Sequence, residues 1–111
     1  MALPQKYRLT DKKDVGRVIK RGKILNSELF QIRFLANNLD FDRFVVITGL
    51  RFSKKATIRN KTKRQLNEII RINILKVKSG LDIVLLARLK ILDKKSEYIK
   101  EELINRLLKI G

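Results

Sequence analysis

SKKATIRNKTKRQLNEIIR, residues 53–71, is the stretch on which the reading of the fold turns. Wound at about 100° per residue, it and the residues just beyond it place Leu66, Ile69, Ile70, Asn73 and Val77 on one side and Asn60, Lys63, Arg64, Asn67 and Arg71 on the other. One face packs and the other is basic. Thr57 is the expected N-cap, because its hydroxyl is able to accept a bond from one of the first free amides. That start sets Arg59, Lys61 and Lys63 in the first turns, at the positive end of the helix dipole, where cations are disfavoured. Stability alone does not ask for them there, whereas a bound phosphate does.

Residues 51–78 hold ten Lys or Arg and one acid, Glu68, and so carry +9 of the chain's +16. Residues 1–23 add +6, 24–50 sum to −1 and 79–111 to +2. Ordinary surfaces intersperse both signs, so this blockwise charge favours nucleic acid over an acidic membrane surface or mere solubility.

Working outward, 111 residues with 44% hydrophobic content suit a single domain spanning 1–111 with a real core. There is no cysteine, which removes disulfides and thiolate metal sites and fits a reducing compartment. Neither a signal peptide nor a membrane-spanning run is visible, so a soluble cytoplasmic protein is expected. Residues 1–9 read as an extended arm. Thr10 reads as the cap of a first helix with Asp11 and Asp14 near its start, an apolar Val15, Val18, Ile19 spacing, and Gly22 as a left-handed stop. Its polar side carries Lys12 and Arg17 among other cations.

From Leu29 to Leu35 the period becomes two, with Phe30, Ile32 and Phe34 on the packing face and Gln31 and Arg33 opposite. Asn37-Asn38-Leu39-Asp40 is turn chemistry, leading to the expectation of a hairpin with Arg43–Phe52, apolar on both faces at 44–47 and so placed inside the sheet. Gly49 reads as a bulge or a close backbone approach. Ser79-Gly80 ends the basic helix. Asp82 to Arg88 reads as a strand covered on both faces, and Lys94 to Lys109 as a closing helix. This element order describes an α+β, two-layer α/β sandwich.

Catalytic groups are scarce. Histidine is absent, the acids are scattered, no phosphate loop is present, and a Ser or Thr nucleophile lacks a base. Glu97 and Glu101 are i, i+4 neighbours that read as a solvated helix face rather than a metal site. No catalytic residue, metal or cofactor is therefore assigned to the protein, and a self-sufficient nuclease is disfavoured.

Ser53-Lys54-Lys55 followed by Arg59-Asn60-Lys61-Thr62-Lys63-Arg64 resembles the signature of the bacterial ribonuclease P protein component. The resemblance extends through Leu9-Thr10 to Asp14, Val18, Lys20, Gly22-Lys23, Gly49-Leu50, Gly80 to Val84 and Ala87-Arg88. It implies a ribosomal-protein-like αβββαβα order with a left-handed β-α-β crossover, contrary to the usual handedness. It also implies a protein, monomeric without RNA, whose partners are a catalytic RNA and precursor tRNA, with Mg²⁺ acting through the RNA to generate the mature 5′ end of tRNA. Carried over residue by residue, the RNA-binding set is Lys54, Lys55, Arg59, Asn60, Lys61, Lys63, Arg64 and Arg71. The leader cleft is Lys12, Val15, Arg17, Ile19, Gln31 and Arg33.

Six departures accompany it. Lys61 stands for an Arg and Asn67 for another, and the loop between Ser-Lys-Lys and Arg-Asn is about three residues short. Val15 and Ile19 replace first-helix aromatics, and Arg33 replaces a strand aromatic, exchanging base stacking for charge or guanidinium stacking. A structural or assembly RNA-binding protein of ribosomal type, with no link to cleavage, is the rival reading.

Overall fold

The computed structural model describes residues 4–49, 52–73 and 80–110. Its elements are α1 (Lys12–Arg21), β1 (Lys23–Asn26), β2 (Phe30–Ala36), β3 (Arg43–Ile47), α2 (Ala56–Asn73), β4 (Leu81–Ala87) and α3 (Ser96–Lys109), with 3-10 turns at Gln5–Tyr7 and Leu89–Asp93. The order αβββαβα is the expected one. The four strands lie as β1-β2-β4-β3, with β1-β2 and β2-β4 antiparallel and β3-β4 parallel.

Alternation divides the sheet into two faces. Phe30 and Ile32 of β2, Phe44 and Val46 of β3, and Ile83 and Leu85 of β4 form the main core with Leu66, Ile69 and Ile70 of α2 and Ile99, Leu103 and Leu107 of α3. On the opposite face Val84 meets Val18 of α1 and Leu9, with Val15, Val45, Ile47 and Leu86 packed around them. The α/β sandwich is thus built from α2 and α3 on one side, while α1 crosses the other.

The expected β2-β3 hairpin does not form, because β4 lies between the two strands. The turn after β2 instead clamps the start of β4. Asn37 N–H donates to the Gly80 carbonyl at 3.0 Å, its side-chain amide donates to Asp82 Oδ1 at 3.0 Å, and Asp42 Oδ1 accepts from Leu81 N–H at 2.7 Å. Asn38 takes the left-handed conformation, with φ 61°. Gly80 has φ 68°, and a Cβ there would sit 2.4 Å from the Leu39 carbonyl oxygen, so glycine is required.

β3 is an edge strand, not an inner one. Its two apolar faces reflect layers above and below the sheet, which edge and centre share. Part of its free edge is covered by the N-terminal segment, where Arg8 bridges Phe44 and Leu9 N–H donates to the Phe44 carbonyl at 2.8 Å. The arm expected for 1–9 is therefore docked from Tyr7 to Leu9, with Tyr7 packed against the main core and Leu9 only 2% exposed. Met1 to Leu3, Leu50, Arg51 and Ile74 to Ser79, including Val77, lie outside the described residues.

Both helix caps differ from expectation. Asp11, not Thr10, caps α1, its carboxylate accepting from Lys13 N–H at 2.8 Å. Gly22 ends α1 with φ −70°, which is not left-handed. A Cβ on it would meet the Val18 and Phe34 carbonyl oxygens at 2.4 and 2.9 Å, so its need is room rather than conformational freedom. α2 begins at Ala56, before Thr57. Ser53 Oγ accepts from Lys55 N–H at 3.2 Å, and Arg59 N–H donates to the Lys55 carbonyl at 3.2 Å. The serine of the Ser-Lys-Lys segment turns the chain, and the helix gains residues at its start.

Arg43 anchors β3 to β4 in a partly buried polar cluster. Its Nε and Nη2 donate to Asp82 at 2.8 and 2.7 Å, and Nη2 lies 3.5 Å from Asp14 of α1. The bond to Asp82 raises the Arg43 pKa above its ordinary value, against the opposing effect of burial.

Candidate nucleic-acid interface

The buried residues of α2, Thr62, Leu66, Ile69, Ile70 and Asn73, define its inner side. By helical geometry Asn60, Arg64 and Arg71 then form the outward stripe, with Lys61 on the flank toward α3 and Lys63 on the flank toward β3. Asn60, Lys61 and Arg64 are exposed, and Lys63 and Arg71 are half-buried. Because α2 starts at Ala56, Arg59 closes the first turn and Lys61 and Lys63 fall in the second, where the dipole is weaker. The cations nearest the helix start are Lys54 and Lys55, both exposed, and the first turn has no acid.

Two members of the set are already engaged. Arg59 Nη1 donates to the Ser53 carbonyl at 2.8 Å, and its own carbonyl accepts from Thr48 Oγ1 at 3.4 Å. Arg59 thereby holds the short connection into α2 in place. Arg71 forms a fork with Glu68, its Nε donating to Oε2 at 3.1 Å and its Nη2 to Oε1. This bonding lowers the Glu68 pKa to about 2 and raises that of Arg71. A carboxyl depressed by folding contributes stability that is in place above pH 4.5 and is lost as pH falls through about 2. At neutral pH Glu68 therefore offsets Arg71. Glu68→Gln is expected to tighten RNA binding about threefold and to steepen the slope of log K against log[salt] by about one. Equilibrium filter binding across a salt series checks this, and an unchanged slope would show that Arg71 takes no part.

On the opposite face, strand register lines residues up in rows. Asn26, Gln31, Leu86 and Ile47 form one row, and Ile24, Arg33, Val84 and Val45 the next. A hydrogen-bonded chain crosses them. Arg88 Nη2 donates to Asn26 Oδ1 at 2.8 Å, Gln31 Nε2 donates to the same oxygen at 3.1 Å, and Arg33 Nε donates to Gln31 Oε1 at 2.9 Å. Arg33 Nη1 then donates to the Ile19 carbonyl at 2.7 Å, tying the end of α1 to the sheet.

The structure brings Gln31, Arg33 and Ile19 together but spreads the rest of the cleft set. Val15 packs into the small cluster with Leu9, Val18 and Val84. Lys12 shares the flank of Ile19, whereas Arg17 lies about 140° around α1 from Lys12. There Arg17 pairs with Asp14 at 3.4 Å. Asn26 and Arg88, which the sequence does not single out as site residues, extend the hydrogen-bonded chain of Gln31 and Arg33. The only sequence signal was Arg88 after Ala87, because β1 carries no apolar alternation.

A mixed sheet with one side packed on two helices, and a helix bearing an exposed basic stripe, define a small basic α/β sandwich of the nucleic-acid-binding class. The family model described as Ribonuclease P matches residues 3–111. A ribonuclease P protein component from Thermotoga maritima is 34% identical over 110 residues, covering 96% of this chain and 93% of its own. The corresponding protein of Alkaliphilus oremlandii is 35% identical over 107 residues, covering 94% and 90%. Among solved structures, an RNase P protein from Thermotoga maritima superposes with a TM-score of 0.85 at 33% identity, covering 94% of this chain and 97% of that one. An RNase P protein from Staphylococcus aureus gives 0.81 at 26% identity, covering 94% of each chain.

The chain belongs to the ribonuclease P protein family. It is a protein subunit of an endoribonuclease ribonucleoprotein and associates with the RNase P RNA, and the ribosomal-type reading is not favoured.

Proposed function

We propose that α2 faces the catalytic RNA and that the sheet face beside α1 holds the single-stranded 5′ leader of precursor tRNA. The observation that carries the first part is the exposed basic stripe of α2, in which Glu68 offsets Arg71 while Lys61 and Arg64 are exposed. The second part is supported by the row of Gln31 and Arg33 with Asn26 and Arg88, whose planar polar groups suit a strand of any sequence.

The chemistry is assigned to the RNA, with Mg²⁺ held there. Support comes from the sequence, which has no histidine to serve as base or metal ligand. Glu97 is exposed on the first turn of α3, in keeping with a solvated helix face. The protein acts as a monomer before RNA binding and works in the cytoplasm. Among the described residues no helix is long and apolar enough to cross a membrane.

Reconstitution with the catalytic RNA of the same source tests the reading. The complex is expected to mature the 5′ end of precursor tRNA at low Mg²⁺, with protein alone inactive; cleavage by RNA-free protein would refute the assignment of chemistry. Arg33→Ala is expected to weaken binding of precursor tRNA with a leader of several nucleotides by about 1 kcal/mol while sparing mature tRNA. Because Arg33 also holds the Ile19 carbonyl, thermal unfolding of the variant is measured alongside. Equal losses for both RNAs would place Arg33 in folding or in the catalytic-RNA interface.

A further inference from the structure

The flank of α2 facing α3 carries a groove separate from the sheet face beside α1. It encloses about 550 Å³ between α2 and the segment running from the 3-10 turn Leu89–Asp93 into α3. Ile58, Ile91 and Ile99 make its floor. Lys61 lines one wall and Lys94 the other, the Lys94 ammonium resting against Glu28 and Tyr98 beside the groove. A hydrogen bond from Gln65 Nε2 to Ser96 Oγ at 3.3 Å joins the two walls.

An apolar floor between two cations matches an anion with a flat, weakly polar body. Leu92 adds an exposed apolar side chain, 45% accessible, to the lining. The volume is of the size that holds a small molecule. Lys61 belongs both to the groove and to the basic side of α2, so whatever polyanion lies along that helix passes the groove's rim. Lys94 is 3.5 Å from Glu28, with Nζ 5.3 Å from the Tyr98 ring centre. That ion pair is partly exposed, and its long lysine stem lets the ammonium swing from Glu28 to a phosphate at the groove.

We propose that this groove receives one unstacked nucleotide of the catalytic RNA, its base against the isoleucine floor and its flanking phosphates on Lys61 and Lys94. Structured RNAs present bases splayed from loops and bulges to apolar and planar surfaces in this manner. The inference rests on α2 being the RNA-facing helix.

The test uses the full chain and the catalytic RNA of the same source. Binding is measured across a salt series for the natural protein, Leu92→Ser, Lys94→Ala, the double variant and Arg64→Ala, with 2′-hydroxyl acylation of the RNA read in each complex. The double variant is expected to bind about tenfold more weakly, with a salt slope shallower by about one. A single unpaired nucleotide is expected to change reactivity. Unchanged binding by the double variant, with Arg64→Ala weakened, overturns the groove and leaves the α2 reading standing. If Arg64→Ala also binds normally, both fall. A loss confined to Lys94→Ala, with Leu92→Ser like the natural protein, overturns the inserted base. Leu92 is exposed and Lys94 half-buried, and a thermal unfolding curve verifies each fold. Should the double variant unfold, the two single variants carry the test.

Discussion

Lys63→Ala combined with Arg64→Ala is expected to flatten the dependence of log K on log[salt] for the catalytic RNA by about two phosphate equivalents. Affinity at fixed salt should fall by about 2 kcal/mol, roughly 30-fold, if each residue makes one charge-assisted contact. This pair separates binding from folding better than a pair including Arg59. Arg59 holds the Ser53 carbonyl, so its removal loosens the connection into α2 as well as any RNA contact. No acid is paired with Lys63 or Arg64 among the described residues. A salt series with unfolding curves for each protein is the measurement, and an unaltered slope with an intact fold would remove α2 from the interface.

The second large effect concerns stability. Asp82 is 6% exposed, and its two oxygens accept from Arg43 Nε, Arg43 Nη2 and the Asn37 amide. Asp82→Ala removes the acceptor these donors share at the junction of β4, β3 and the turn after β2, leaving the Asn37 amide its bond to the Phe41 carbonyl at 3.2 Å. The expected cost is about 2–3 kcal/mol, below that of a fully buried pair because Arg43 reaches water and retains Asp14. For a domain of this size that lowers the melting temperature by roughly 10 °C or more. Asp82→Asn should lose most of the same stability, since an amide offers one acceptor oxygen and turns a donor toward the Arg43 guanidinium. Urea unfolding monitored by circular dichroism decides it. A loss below about 0.5 kcal/mol for both variants would mean that water replaces the carboxylate freely.

Much of this architecture was legible because periodicity reports which side of an element is covered. The inward set of α2, the Phe30-Ile32-Phe34 face and the doubly covered run 83–85 all follow from it. Periodicity does not report which strand lies beside which. A run apolar on both faces, as in 43–52, suits an inner strand, yet β3 is an edge strand between two layers. β1 escaped notice because Lys23, Ile24 and Asn26 are all exposed, leaving Leu25 as its one packing residue. The caps misled for a different reason. Thr10 and Thr57 each have a competitor nearby, Asp11 and Ser53, and which oxygen meets an amide depends on the path of the preceding chain. Charge counting located the basic helix α2. It did not show that Arg71 is matched by Glu68 or that Arg33 is committed to α1, because those pairings depend on which side chains meet in space.

The position of β4 bears on how the chain comes off the ribosome. β2 and β3 are made first, yet they do not pair with each other, and the space between them is filled only when residues 81–87 have been synthesised. Until then the nascent chain offers two strands with open inner edges and apolar side chains destined for both faces. The β1-β2 pair is complete in the sequence before β4, but the sheet that joins it to β3 is not. The sheet closes late and as a unit, and the long interval between the parallel partners β3 and β4 makes that closure slow relative to helix formation. A chain that must stay unclosed for so long benefits from carrying +16, since mutual repulsion keeps unfinished copies apart.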